Sequence, residues 1–199
     1  QRRVLVVGGG PGGMMAAATA AKRGHSVTLA EQADRLGGVL KFARYDEHKA
    51  RFLDLCDTYA YELEQAGGTL LLNTKVDRAF LESFGPDAVI IAVGSSPIHP
   101  AIPGLDDPRV VDGIDAYAPG AMPGDPVVVL GGGLVGCETG LFLAERGHDV
   151  TIIEMQDEIA PEANWMHKEG MMQSFAKAPI TARTGLRVSK VEPGRGVYA

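Results

Sequence analysis

One glycine-rich signature occurs twice in this chain, 123 residues apart. The first copy, VLVVGGGPGGMMAAATAAKRGHSVTLAE, runs from Val4 to Glu31. The second, VVLGGGLVGCETGLFLAERGHDVTIIE, runs from Val128 to Glu154. Gly8, Gly10, Gly13, Gly24, Val27 and Glu31 map onto Gly131, Gly133, Gly136, Gly147, Val150 and Glu154. A lone G-x-G-x-x-G carries little weight, because glycine is common. Two full-length copies in one register constrain the chain to two strand–turn–helix–strand units of the same kind.

The chemistry of one copy follows from its residue types. The apolar run Val4–Val7 reads as a buried parallel strand. Gly8 permits the tight turn, Gly10 lets the backbone approach a pyrophosphate, and Gly13 lets the helix pack closely. A helix from about Gly12 to Arg23 aims unpaired N–H groups and its positive dipole end at the phosphates. Glu31 closes the second strand, where a carboxylate accepts hydrogen bonds from ribose hydroxyls. The second copy repeats this with a strand over Val127–Leu130, a helix from about Leu134 to Arg146, and Glu154. A 2′-phosphate beside Glu154 would be repelled, so NADH is expected over NADPH. The next residues, Met155, Gln156 and Asp157, include no arginine to reverse that. The fold class is α/β, with two Rossmann-like doubly wound dinucleotide-binding domains in tandem. Two dinucleotides in one small chain imply electron traffic between them.

Between and after the copies, residues 46–65 read as a helix ended by Gly67-Gly68. Thr69–Leu72 and Asp87–Val93 read as strands, and Ser95–Gly104, with Pro97, Pro100 and Pro103, as an interdomain linker. The domains are therefore set at 1–107 and 108–199. Trp165, Met166, Met171 and Met172 read as one apolar helix face.

Composition removes other classes. A net charge of −6 with no basic stripe argues against nucleic acid or an anionic membrane surface as partner. No run of eighteen apolar residues exists, so no membrane span is expected. The opening strand at Arg3 leaves no room for a signal peptide, which points to the cytoplasm. The two cysteines, Cys56 and Cys137, form no C-x-x-C, which removes a redox dithiol and an iron–sulfur ligand set. Both read as thiols packed in helices, although Cys137 directly follows Gly136. The five histidines show no metal or triad spacing, so no metal site is expected.

With these residues in hand, the chain resembles the flavin half of the NADH:flavin oxidoreductase family. That family includes the 2,4-dienoyl-CoA reductase, 2-enoate reductase and trimethylamine dehydrogenase group. The carrying residues are GGGPGG at 8–13, RLGG at 35–38, LLNTKV at 71–76, AVGSSP at 92–97, PGLD at 103–106 and GGGLVGCETG from Gly131. The resemblance implies that Gly8, Gly10, Pro11, Gly12 and Gly13 line the FAD pyrophosphate and that Glu31 binds the adenosine ribose. It implies that Arg35, Gly38 and Val39 approach the phosphates and the flavin side. Val76 would meet the adenine by its backbone, and Ala92, Val93 and Gly94 would pass under the cofactor. Gly131, Gly133, Leu134, Val135, Gly136 and Glu154 would hold NADH. Glu138 resembles a glutamate near the nicotinamide, or else is a solvated carboxylate favoured by the helix dipole.

Full members of the family carry an amino-terminal barrel with FMN and a 4Fe–4S cluster, which this chain lacks. They also end in a segment that closes over the flavin. The chain therefore reads as a fragment, with both nucleotide domains incomplete at the C-terminal end, and by itself it is expected to hold FAD weakly and to be inactive. Open faces left by that incompleteness are expected to promote self-association. The function implied is the electron-entry module of a flavin-dependent oxidoreductase, passing hydride from NADH to FAD for onward transfer to the missing barrel. Hydride transfer between cofactors needs alignment and exclusion of water more than acid–base groups, so no catalytic residue is named. The alternative is a non-catalytic ADP-binding structural module of an amine-dehydrogenase-like flavoprotein.

Overall fold

A computed structural model describes residues 1–120, 123–192 and 194–199. The chain divides into two compact units, Gln1–Ser96 and Pro97–Ala199. The division falls inside the proline-rich stretch.

In the first unit, β1 (Arg3–Val7) leads through the glycine turn into α1 (Pro11–Lys22) and then β2 (Ser26–Ala30). A short 3-10 segment over Gly38–Tyr45 follows, then α2 (Phe52–Gln65), β3 (Thr69–Leu71), α3 (Arg78–Phe84) and β4 (Ala88–Ile91). The sheet order is β3-β2-β1-β4, all parallel. Parallel strands buried on a helix-covered face need apolar side chains there. Val4, Val6, Val27 and Leu29 supply them, and Met14, Ala17 and Ala21 of α1 with Cys56 and Leu63 of α2 close the core. The alanines keep α1 near the sheet because they project little beyond the backbone. Asp77 caps α3, its carboxylate accepting from the Phe80 N–H at 2.8 Å.

Two elements differ from the sequence reading. The helix expected over 46–65 begins at Phe52, because residues 46–51 form turns held by Asp46, which accepts from the His48 N–H at 3.0 Å. Side-chain bonding of this kind competes with helix initiation. The segment after Glu31, where the sequence reading set no helix, coils as a 3-10 turn over Gly38–Tyr45.

The second unit carries a 3-10 turn at Asp115–Tyr117, then β5 (Val127–Leu130), α4 (Leu134–Ala144) and β6 (Val150–Ile153). It continues with α5 (Trp165–Phe175), β7 (Ile180–Arg183), β8 (Lys190–Glu192) and β9 (Gly196–Tyr198). The parallel sheet is β5-β6-β7, and β8 pairs β9 as a separate antiparallel hairpin. Among the described residues, no strand stands beside β5 in the place that β4 takes beside β1. Tyr117 packs on Phe142 of α4 with ring centroids 4.1 Å apart. The single apolar face expected of α5 is not formed: Met171 is buried, whereas Trp165 is 73% exposed and Met166 is 65% exposed. The helix presents its N-terminal end to solvent and packs through Met171 and Phe175.

Candidate functional site

Each glycine turn is built from the same parts. Gly8 and Gly131 both sit at left-handed φ, +104° and +98°, which a side chain would strain. A Cβ on Gly13 would collide with the Gly8 carbonyl oxygen, and one on Gly136 with that of Gly131. The third glycine therefore serves the approach of the helix to its own turn more than to the sheet. Gly10 and Gly133 are the helix N-caps, both with extended backbone and no side-chain capping bond. A Cβ on either would meet nothing within 4 Å. Nothing in the fold demands glycine there. The space is free for a ligand, and first-turn N–H groups open onto it.

Behind each turn stands a buried carboxylate. Glu31 is 9% exposed and Glu154 is 5% exposed. Glu31 Oε2 accepts from the Gly9 N–H at 2.6 Å, and Oε1 from the Ala33 N–H at 2.8 Å. Glu154 repeats this with Gly132 at 2.6 Å and Gln156 at 2.8 Å. Each oxygen spends one lone pair on the backbone and keeps one open to a further donor. The carboxylates thus fix the glycine loops.

The sequence reading did not single out Gly9 and Gly132. A Cβ on Gly9 would lie 2.5 Å from Leu36 Cδ2 and 3.0 Å from Glu31 Oε2, and one on Gly132 2.9 Å from Ile159 Cγ2 and Glu154 Cβ. The pairing of Leu36 with Ile159 extends the internal repeat. Gly37 N–H donates to Gly9 O at 2.9 Å, and Ala160 N–H donates to Gly132 O at 2.7 Å. Ala160 accordingly takes a left-handed φ of 45° where the first copy has Gly37 at 117°. Leu36-Gly37 and Ile159-Ala160 are one structural element in two chemistries. The 123-residue offset was a signal for this, masked by the change of residues.

A further pair of turns is also equivalent. Thr74 N–H donates to Glu31 O at 2.8 Å and Asn73 N–H to Ala33 O at 2.9 Å. Leu186 N–H donates to Glu154 O at 3.0 Å and Gly185 N–H to Gln156 O at 2.8 Å. Asn73 and Gly185 are both left-handed. Val76 therefore has a counterpart in Val188. Here the offset drops to 112, so the sequence carries no register signal.

The remaining expected site residues fall as follows. Gly38, at φ +52°, would place a Cβ 3.1 Å from Gly10 Cα, so the RLGG segment reaches the glycine loop. Arg35 does not turn toward that loop: its guanidinium binds its neighbour Asp34 at 2.9 and 3.0 Å. Pro11 is the first residue of α1, where its missing N–H costs nothing, and Gly12 faces open space. Val39 is 54% exposed. Ala92 and Val93 cross directly over Gly8, and Gly94 turns left-handed at 72°. In the second unit, Gly131, Gly133, Leu134 and Glu154 line an open cleft of about 920 Å³. Val135 is 57% exposed. Glu138 lies outside the lining and approaches His167 Nε2 of α5 at 3.4 Å.

Both thiols are buried and free. Cys137 Sγ donates to Gly132 O at 3.2 Å. Burial, reinforced by the Glu154 charge, holds its pKa up at about 11. Burial also raises that of Cys56. Neither is a thiolate at neutral pH, which suits packing and not nucleophilic or disulfide chemistry. Among the described residues, no group of three His, Cys, Asp or Glu side chains could hold a metal ion. No helix among the described residues is long and apolar enough to cross a membrane.

Comparison with known proteins agrees with this geometry. Residues 2–198 match the family described as pyridine nucleotide-disulphide oxidoreductase. The chain is 44% identical over 204 residues to an NADH oxidase of Thermoanaerobacter brockii, covering 100% of this chain and 31% of that protein. It is 40% identical over 158 residues to a cinnamate reductase of Clostridium sporogenes, covering 79% of this chain and 24% of that one. Among solved structures, a 2-naphthoyl-CoA reductase complex superposes with a TM-score of 0.90 at 30% identity, covering 99% of this chain and 30% of that one. The chain thus spans less than a third of the length of these relatives.

Proposed function

The chain belongs to the pyridine nucleotide-disulphide oxidoreductase family, and on that premise we propose that it is the electron-entry module of a flavin-dependent oxidoreductase. In this reading residues 1–107 hold FAD, residues 108–199 hold NADH, and hydride passes from the second cofactor to the first. Each half is a Rossmann-like dinucleotide-binding domain. Electrons then leave for an FMN and iron–sulfur domain in a longer polypeptide. The fraction of the relatives' length that the chain covers leaves ample room for such a domain. Two free, buried thiols suit a reducing, cytoplasmic setting.

The observation that carries the proposal is the paired cradle: an open Gly10 or Gly133 at a helix N-terminus, with a backbone-anchored carboxylate behind it. Residues of this kind fit a pyrophosphate next to a ribose. FAD, when bound, supplies a hydride acceptor that can release electrons singly. The protein's own part is binding and alignment. Gly8, Gly10 and Gly12–Gly13 bring backbone N–H groups to the phosphates, Glu31 accepts from the ribose, and the Thr74–Val76 turn borders the adenosine end. Ala92–Gly94 fixes the floor beside Gly8. Gly131, Gly133, Leu134 and Gly136 do the same for NADH, with Glu154 at its ribose. Val135 and Glu138 sit on the first turns of α4, on the nicotinamide side.

The test is spectroscopic. The full-length polypeptide supplied with FAD should show visible flavin bands that bleach on anaerobic addition of NADH. Release of ADP from purified protein that takes up no flavin would overturn the proposal in favour of a structural nucleotide-binding module.

A further inference from the structure

The cleft of the second unit contains one feature that the glycine signature does not account for. Arg187 is the one basic side chain among the described residues lining it; Glu154 and Glu162 are acidic. The backbone bonds from Gly185 and Leu186 to Gln156 and Glu154 lace the Arg187 turn to the end of β6. Arg187 thus stands one residue past the bond to the Glu154 carbonyl, on the border where a bound adenosine would present its ribose. It is exposed, and among the described residues it has no hydrogen bond or ion pair to satisfy it. Arg183, at the end of β7, is not part of the lining. A guanidinium without a partner of its own, lining the same cleft as Glu154, is available to a phosphate at the 2′ position of a nucleotide bound there.

We propose that Arg187 is a specificity-determining residue of this cleft. It offers a cationic partner to an adenosine 2′-phosphate, against the repulsion from Glu154. Discrimination between the two nicotinamide dinucleotides is then a difference between opposing charges and not the work of Glu154 alone. The proposal rests on the reading of the second glycine loop as a dinucleotide site.

Titration of the isotopically labelled chain with 5′-AMP and with adenosine 2′,5′-bisphosphate tests both levels separately. The readout is the amide resonances of Gly133 and Gly136, which report this cleft and not the first unit. Arg187→Ala should weaken the bisphosphate by about fivefold relative to 5′-AMP, the scale of one exposed charge contact. Arg187→Glu should weaken it further, and Arg187→Lys should retain most of the wild-type ratio. Equal changes for both ligands, or no change for either, would overturn the role of Arg187 while leaving the nucleotide site standing. If neither ligand moves these resonances in wild type or variants, the nucleotide reading itself falls, and this inference with it. An unchanged pattern of all other amides shows that the variants are folded.

Discussion

At the residue scale, adjacent glycines do different work. Gly10 faces empty space, and Gly9 is enclosed by Leu36 and Glu31. Replacement of Gly10 by Val should therefore leave the fold intact while filling the pyrophosphate position. The variant should melt like wild type and bind FAD far more weakly, which flavin absorbance after gel filtration checks. Replacement of Gly9 by Val should do the reverse and destabilise the fold by about 1–3 kcal/mol through overpacking, read from chemical denaturation. Glu154 bears on both kinds of property. NADH should outcompete NADPH by about tenfold or more, since a lost ribose bond plus repulsion is worth about 1.4 kcal/mol. Glu154→Ala should narrow that gap in competition titrations. It should also lower stability by about 1–3 kcal/mol through the Gly132 N–H left buried without a partner, whereas the exposed Gln156 N–H is free to bond water. A change in preference with no loss of stability would show that the backbone bonds to Glu154 contribute nothing.

At the element scale, the two glycine-turn helices are near copies, yet their cores differ. Met14 of α1 occupies the repeat position that Cys137 takes in α4, and both are fully buried. The Cys137 thiol, held up at about 11 by burial and by Glu154, should resist iodoacetamide in the native protein at mildly alkaline pH and react once unfolded. The same shift links to stability. A thiol whose folded pKa lies above its ordinary value of 9.0 favours the folded state up to that value. That contribution is lost as pH rises toward about 11. Melting temperature should fall across this alkaline window, and Cys137→Ser should flatten the fall. The elements themselves were legible where period and punctuation agreed: β5 at Val127–Leu130 and the glycine-turn helices lie where the apolar runs and glycines put them. The start of α2 was not, because Asp46 bonds its own following backbone and holds residues 46–51 in turns. The amphipathic reading of α5 failed for a related reason: methionine and tryptophan are apolar, but sequence does not say whether a neighbour exists to cover them.

At the scale of the whole molecule, the first sheet ends at β4 with Val89 and Ile91 on one face. Val89 is 41% exposed and Ile91 is 76% exposed, and Val93 just beyond is 68% exposed. An edge strand with such a face invites pairing with another chain. The protein should show concentration-dependent association in sedimentation velocity, and Ile91→Lys should shift it toward monomer. What the sequence determined by itself was the duplication: two parallel strand–turn–helix–strand units, their glycine turns and the carboxylate at the end of each second strand. Backbone geometry forces those residue types at fixed local spacing, so a single chain displays them. What only the tertiary structure decided was which distant segments meet each turn. Ile159 and Ala160 replace Leu36 and Gly37 against the second loop, and Arg187 lines one cleft with Glu154 although 33 residues separate them. Such meetings depend on strand order and on the lengths of intervening elements. No local pattern encodes either, and the change of offset from 123 to 112 hid the second turn from any search by register.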